Sequence, residues 1–145
     1  MMSNYNGLAI ELSQRDGFVA ACSVTGELSE LEVQTQQRDT DAVMPAIHRV
    51  VDAVGIKPTD LQFVGVSIGP GSFTGLRSAV AIAKMIALTT KASIIAVESA
   101  VVAADTLGIE EPLLVVSGVK DESFWLSRVS KEGNRWQCDS GLTDV

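Results

Sequence analysis

The chain opens with short apolar runs separated by turn residues. Leu8-Ala9-Ile10-Glu11-Leu12 reads as a first strand, and Gln14-Arg15-Asp16-Gly17 as a hairpin turn whose Asp-Gly supplies positive φ angles. Phe18 to Val24 reads as a second strand, Thr25-Gly26-Glu27 as a turn, and Leu31 to Gln34 as a third strand. The period then changes. Val43, Ile47, Val50, Val51 and Val54 form a helical stripe that Gly55 ends. Asp39, Thr40 and Asp41 offer cap oxygens before it, and Pro45 must lie in its opening turn. After the loop Lys57-Pro58-Thr59-Asp60, Val64, Val66 and Ile68 mark a buried strand. Gly69-Pro70-Gly71 can continue neither a central strand nor a helix, and Ser72 or Thr74 can cap a helix starting just beyond it. Leu76, Ala79, Val80, Ala83, Ile86 and Ala87 recur at three- and four-residue spacing through that alanine-rich helix.

Ser93 to Val97 reads as a fifth strand, and Ser99 as the cap of a third helix, Ala100 to Leu107, ended by Gly108. Leu113 to Val116, Ser123 to Val129 and Arg135 to Cys138 then read as strands, with turns at Lys120-Asp121 and Lys131-Glu132-Gly133-Asn134. The order β-β-β-α-β-α-β-α with extra strands after it is the ribonuclease H-like plan shared by actin-like ATPases. It predicts an α/β lobe with a mixed five-stranded sheet over residues 1–110, and a partial, β-rich second lobe over 111–145, divided at Glu110-Glu111-Pro112.

With 145 residues, 46% of them hydrophobic, the chain can bury one substantial core. Its net charge of −7 argues against holding nucleic acid through phosphate contacts unaided. No apolar run is long enough to span a bilayer, and the N-terminus lacks the regions of a signal peptide. Cys22 and Cys138 have no metal-like spacing, so a reduced, cytoplasmic setting is expected. A two-metal nuclease would need clustered carboxylates; Glu11 could be one, but the fourth strand offers Ser67 and Gly69. His48 is the single histidine, without further ligands nearby, and reads as a surface or interface residue; Asp121 and Glu122 read as solvated turn residues.

The glycine turn admits three readings. Its free N–H groups at a helix start can cradle an anion, which makes Glu11, Ser13, Gly69, Gly71, Ser72 and Thr74 candidate anion or nucleotide contacts. The helix behind it can be a docking surface. Or the glycines simply turn the chain. It is not a P-loop, since no Gly-Lys-Ser or Gly-Lys-Thr closes it, and the spacing is not that of a dinucleotide fingerprint.

Gly69-Pro70-Gly71-Ser72-Phe73-Thr74-Gly75-Leu76-Arg77, with Ala83-Lys84 further on, resembles the signature of the TsaB (YeaZ) family, bacterial proteins of tRNA threonylcarbamoyladenosine modification. Leu8-Ala9-Ile10-Glu11-Leu12-Ser13 is similar to the family's opening Leu-Ala-Ile-Asp-Thr-Ser, and Asp39-Thr40-Asp41-Ala42-Val43-Met44-Pro45 stands in the place of its His-Ser-Glu-x-Leu-Leu-Pro. The resemblance covers about residues 7 to 129. It departs at Glu11 and Asp39, and at Ser117 to Phe124, where the family has Asp-Ala-Arg-x-Gly-Glu-Val-Tyr.

The related enzyme TsaD carries a His-x-x-x-His metal pair, and Ser99 and Ala103 occupy those places here. The resemblance therefore implies a non-catalytic subunit with no metal and no cofactor of its own, ATP being bound only at a partner interface. It implies a TsaD-like partner together with a TsaE-like ATPase, and a homodimer when the partner is absent. The expected interface is the first two helices, through Val43, Ile47, Val51, Leu76, Arg77, Ala79, Val80 and Ala83. The alternatives are a nucleotide-binding ATPase or kinase-type lobe, a metal-dependent peptidase (disfavoured without the His pair), and a homodimeric binding protein outside the pathway.

Overall fold

The computed structural model describes residues 5–34, 42–109, 111–118 and 123–144. The chain divides into two compact units, Met1–Ile68 with Ser72–Ala96, and Gly69–Gly71 with Val97–Val145.

The first unit is built on a sheet of β1 (Gly7–Glu11), β2 (Asp16–Cys22), β3 (Leu28–Gln34), β4 (Phe63–Ser67) and β5 (Ser93–Val97), in the order β3-β2-β1-β4-β5. The first three strands form an antiparallel meander, and β4 joins β1 in parallel. Register sets the core. Ile10 lies opposite both Val19 and Val66, and Leu8 opposite Ala21 and Val64. Since side chains alternate across a strand, these residues share one face. That face packs with α1 (Val43–Ala53) and α2 (Phe73–Thr90) into one core, in which Leu8, Ile10, Val19, Val50 and Val64 are fully buried.

The helix ends reflect local chemistry. Ser72 caps α2, its Oγ accepting from the Gly75 amide at 3.4 Å. Lys91 closes α2 in the left-handed region at φ +65°, its amide donating to the Ala87 carbonyl. Gly55, at φ +68°, lies just past α1 and donates its amide to the Asp52 carbonyl.

The second unit comprises α3 (Ser99–Leu107) and the antiparallel sheet β6 (Leu113–Gly118), β7 (Ser123–Glu132) and β8 (Arg135–Asp144). Ala100 and Ala104 pack with Val129, and Val101, Leu113, Val115, Trp136 and Cys138 surround them. The Trp136 indole donates to Asp105 at 3.2 Å, tying β8 to α3.

Several expectations change. The Asp16-Gly17 pair is not the first hairpin turn. Gly17 is buried inside β2 opposite Val33 and is not among the positive-φ glycines, so strand pairing overrides the turn preference. β3 begins at Leu28, and β7 and β8 run to Glu132 and Asp144, longer than their apolar stretches suggest. Ser99 does not cap α3: Glu98 holds the cap position, and the Ser99 amide donates to the Gly69 carbonyl. The composition change at Glu110 to Pro112 is not where the contacts divide, because α3 groups with the strands after it. Asp39, Thr40, Asp41, Lys120, Asp121 and Glu122 lie outside the described residues.

Candidate functional site

The glycine turn delivers the chain to α2, and the start of that helix is set by β1. The Ser13 amide donates to a Glu11 carboxylate oxygen at 2.5 Å, and the Ser13 carbonyl accepts from the Ser72 amide at 2.6 Å. Gln14 reaches the Ser13 hydroxyl at 3.3 Å. Gly75 then lies against Leu12, the residue that follows β1. A Cβ there would collide with the Leu12 carbonyl oxygen and stand 2.8 Å from its carbonyl carbon. Only a residue without Cβ lets α2 start this close to the strand.

These contacts bear on the anion reading. Glu11, Ser13 and Ser72 are brought together, but as a hydrogen-bonded junction. The amides of Ser13, Ser72 and Gly75 all donate within the protein. Thr74 is exposed in the first turn of α2. Gly69 and Gly71 group with the second unit, where the Gly69 carbonyl accepts from Ser99. Glu11 thus has a local structural task, with its carboxylate holding the turn after β1. Among the described residues no group of three or more His, Cys, Asp or Glu side chains is placed to hold a metal.

The structure separates the expected interface residues by exposure. Val43, Ile47, Val51, Ala79 and Ala83 are buried, with Ala79 and Ala83 at 0% exposure. Their side chains pack the helices against their own sheet. Leu76 and Val80 are half-buried, and of the eight expected interface residues Arg77 alone is exposed. The outward surface of α2 is made by Phe73, Arg77, Ala81, Lys84, Met85 and Leu88. Phe73 is 72% exposed and Leu88 84%. The Arg77 guanidinium lies 5.4 Å from the Phe73 ring centroid, a cation–π contact that holds both side chains at the surface.

Periodicity points to the buried stripe and passes over this one. A signal was nevertheless present. α2 places Ala79 and Ala83 on its packed side, while Phe73, Met85 and Leu88 fall outside that stripe. A helix with large apolar groups on its open side has a second face to satisfy.

A cleft of about 450 Å³ runs beside this surface, between α1, the short 3-10 turn Pro58–Asp60 and the C-terminal half of α2. Met44, Met85 and Thr89 line it, with His48 and Asp52, one turn apart on α1, at its polar side. His48 therefore lies on the surface, beside an apolar cleft.

In the second unit, Cys138 belongs to a polar group that spacing did not reveal. Its thiol lies 3.3 Å from the Ser140 hydroxyl, which donates to buried Ser127 at 2.9 Å. Burial pushes the Cys138 thiol up, and a hydrogen bond with Glu98 raises it further against the opposing effect of Ser140. The group stays a protonated thiol where an ordinary cysteine begins to ionise.

Comparison with known proteins adds a family to this geometry. Residues 33–138 match the family described as TsaD: tRNA N6-adenosine threonylcarbamoyltransferase. The chain is similar to the tRNA threonylcarbamoyladenosine biosynthesis protein TsaB of Bacillus subtilis, 32% identical over 92 residues, which are 63% of this chain and 40% of the relative. The TsaB of Buchnera aphidicola is 21% identical over 113 residues, 75% of this chain and 51% of the relative. The chain thus spans about half the length of the curated relatives it matches. Among solved structures, YeaZ from Pseudomonas aeruginosa superposes with a TM-score of 0.80 at 17% identity, over 96% of this chain and 66% of that one. At that identity the likeness speaks for the fold, and it agrees with the ribonuclease H-like sheet order.

Proposed function

The chain belongs to the family described as TsaD, tRNA N6-adenosine threonylcarbamoyltransferase, and within it is a TsaB (YeaZ) member; from that premise we propose that it is a non-catalytic subunit in tRNA threonylcarbamoyladenosine biosynthesis. It acts by docking a TsaD-type enzyme on the open side of its helices. The observation that carries this reading is the exposed stripe on α2. Phe73, Met85 and Leu88 are large apolar side chains left in water, and one docked helix would cover them together.

The charge on the stripe narrows the partner. α2 contains Arg77 and Lys84 and no acidic residue, although the whole chain carries −7. The complementary surface is an apolar helix flanked by carboxylates. The cleft beside Met44 and Met85 can take a partner side chain, and methionines adapt to its shape. Ser99 and Ala103, where TsaD carries its metal histidines, offer a hydroxyl and a methyl; the metal and the transfer chemistry belong to the partner in this reading.

The test is size-exclusion chromatography with light scattering, on this chain mixed with the TsaD-type protein of its own organism. A one-to-one complex is expected. Leu88→Glu removes about 2 kcal/mol of apolar burial and should weaken the complex roughly thirtyfold. No complex, or one that tolerates Leu88→Glu unchanged, overturns the docking face.

A further inference from the structure

The cleft between α1, the 3-10 turn Pro58–Asp60 and α2 lies wholly within the first unit. Its floor is apolar, with Ile47, Val51, Leu61 and Ile86 all buried. Met44 and Met85 give it adaptable walls. At about 450 Å³ it falls in the size range of small-molecule sites. Its polar groups come mainly from the ends of the two helices. Asp52 is the last residue but one of α1, and Thr89 and Thr90 close α2. His48, one turn before Asp52, completes the set.

A count of protons gives this polar set a sign. Thr89 Oγ1 donates to the Ile86 carbonyl at 2.9 Å and shares the same proton with the Met85 carbonyl at 3.1 Å. Thr90 Oγ1 donates to the Ile86 carbonyl at 2.8 Å. A hydroxyl has one proton, so both threonines spend theirs inside α2 and keep only lone pairs for a ligand. The Asp52 carboxylate accepts and does not donate. The His48 ring alone among these groups can donate, and it can also accept. The helix ends add to the bias. Terminal carbonyls carry partial negative charge, and neither α1 nor α2 has a basic residue in its last turn. Lys91, just past α2, does not line the cleft, and among the described residues no other lysine or arginine does.

We propose that this cleft binds a small primary amine with an apolar body, of the arylalkylamine class. The apolar body lies on the floor of Ile47, Val51, Leu61 and Ile86, between the two methionines. The ammonium group has three donors and a positive charge, which the Asp52 carboxylate, the Thr89 oxygen and the two helix ends receive. A carboxylate or phosphate would meet the same charges with the wrong sign, and the His48 ring would be its single donor. A neutral hydroxyl gains the apolar contact and loses the attraction. The proposal does not rest on the docking of a TsaD-type enzyme, since every group it uses belongs to the free chain.

The experiment is a titration of the full chain, without any partner, with three probes of like shape: 2-phenylethylamine, 2-phenylethanol and 3-phenylpropionate. Two of the four methionines, Met44 and Met85, line the cleft, so NMR of isotope-labelled methionine methyl groups reports on it directly. Met44→Leu and Met85→Leu assign the two signals. At pH 7 and low salt the amine should shift both signals saturably and bind about fivefold more tightly than the alcohol, with the carboxylate weakest. Asp52→Asn, at an exposed position, should bring the amine close to the alcohol and leave the alcohol unchanged. The ranking of the three probes on the parent chain needs no variant, so it decides even if Asp52→Asn disturbs the fold. No saturable shift with up to about 20 mM amine, well above a millimolar Kd, overturns the proposal. So does a carboxylate or an alcohol that binds as tightly as the amine, or an amine affinity that a folded Asp52→Asn chain retains in full.

Discussion

Replacing Gly75 by alanine tests the junction on which α2 begins, because two effects of opposite sign compete there. Gly75 is the third residue of an 18-residue helix. In an open helix, glycine to alanine stabilises by roughly 0.5 to 1 kcal/mol, since alanine loses less backbone freedom. Here the new Cβ runs into the Leu12 carbonyl group and lies 3.5 Å from Ser13 Cα. Those are backbone atoms just beyond the end of a paired strand, so no side chain can swing away. Either β1 or the first turn of α2 must move. Movement disturbs the hydrogen bond from the Ser72 amide to Ser13 and that from the Gly75 amide to Ser72 Oγ. Overpacking costs about 1 to 3 kcal/mol, and two weakened hydrogen bonds add about 1 kcal/mol. Set against the propensity gain, the net is a loss of about 2 kcal/mol. Urea unfolding monitored by far-UV circular dichroism reads it, since α1 and α2 hold 11 and 18 residues against 9 in α3. With a slope of about 2 kcal/mol per molar urea, the midpoint should fall by about 1 M. A midpoint that rises would refute the close approach of α2 to β1.

Two smaller features give further expected outcomes. Ser72→Ala removes the oxygen that accepts from Gly75 at 3.4 Å, and should destabilise by about 0.5 to 1 kcal/mol in the same urea assay, with Ser72→Asp restoring the loss. The Cys138 thiol, held up first by burial and then by Glu98, should react with iodoacetamide more slowly in the folded Cys22→Ser chain than in urea at about pH 8.5, with Glu98→Gln narrowing the gap. The raised value also fixes the sign for stability. The folded state favours the protonated thiol, so its contribution is complete below the ordinary thiol range and is lost as pH rises through the raised one. Equal alkylation rates in folded and unfolded chain would contradict the shift.

Much of the first unit was legible because burial leaves a periodic trace. Val64 and Val66 lie between other strands, and the stripe from Val43 to Val54 faces a sheet; both patterns are imposed by the core that they fill. The misplaced first hairpin shows the limit of local signals. Asp-Gly favours a turn in isolation, yet Gly17 is held in β2 by its partner Val33, a residue that local reading cannot connect to it. The expected interface residues illustrate a more basic limit. A helical stripe identifies the side a helix buries, and Ala79 and Ala83 are buried against their own sheet. The side left for another protein is the complement of the stripe, and becomes readable only once the packed side is known. The junction of Glu11, Ser13 and Ser72 depends on strand and turn meeting across the fold, which no spacing along the chain encodes.

The uniformly basic character of α2 has a kinetic consequence. In a molecule of charge −7, Arg77 and Lys84 are two positive groups on a helix that carries no acidic residue. In the proposed complex with an acidic partner, encounters would be oriented before contact, with the helix face turned forward. For that complex, association should slow as ionic strength rises and the screening length shrinks, while the dissociation rate, which the proposed docking assigns to the exposed Phe73, Met85 and Leu88, stays nearly constant.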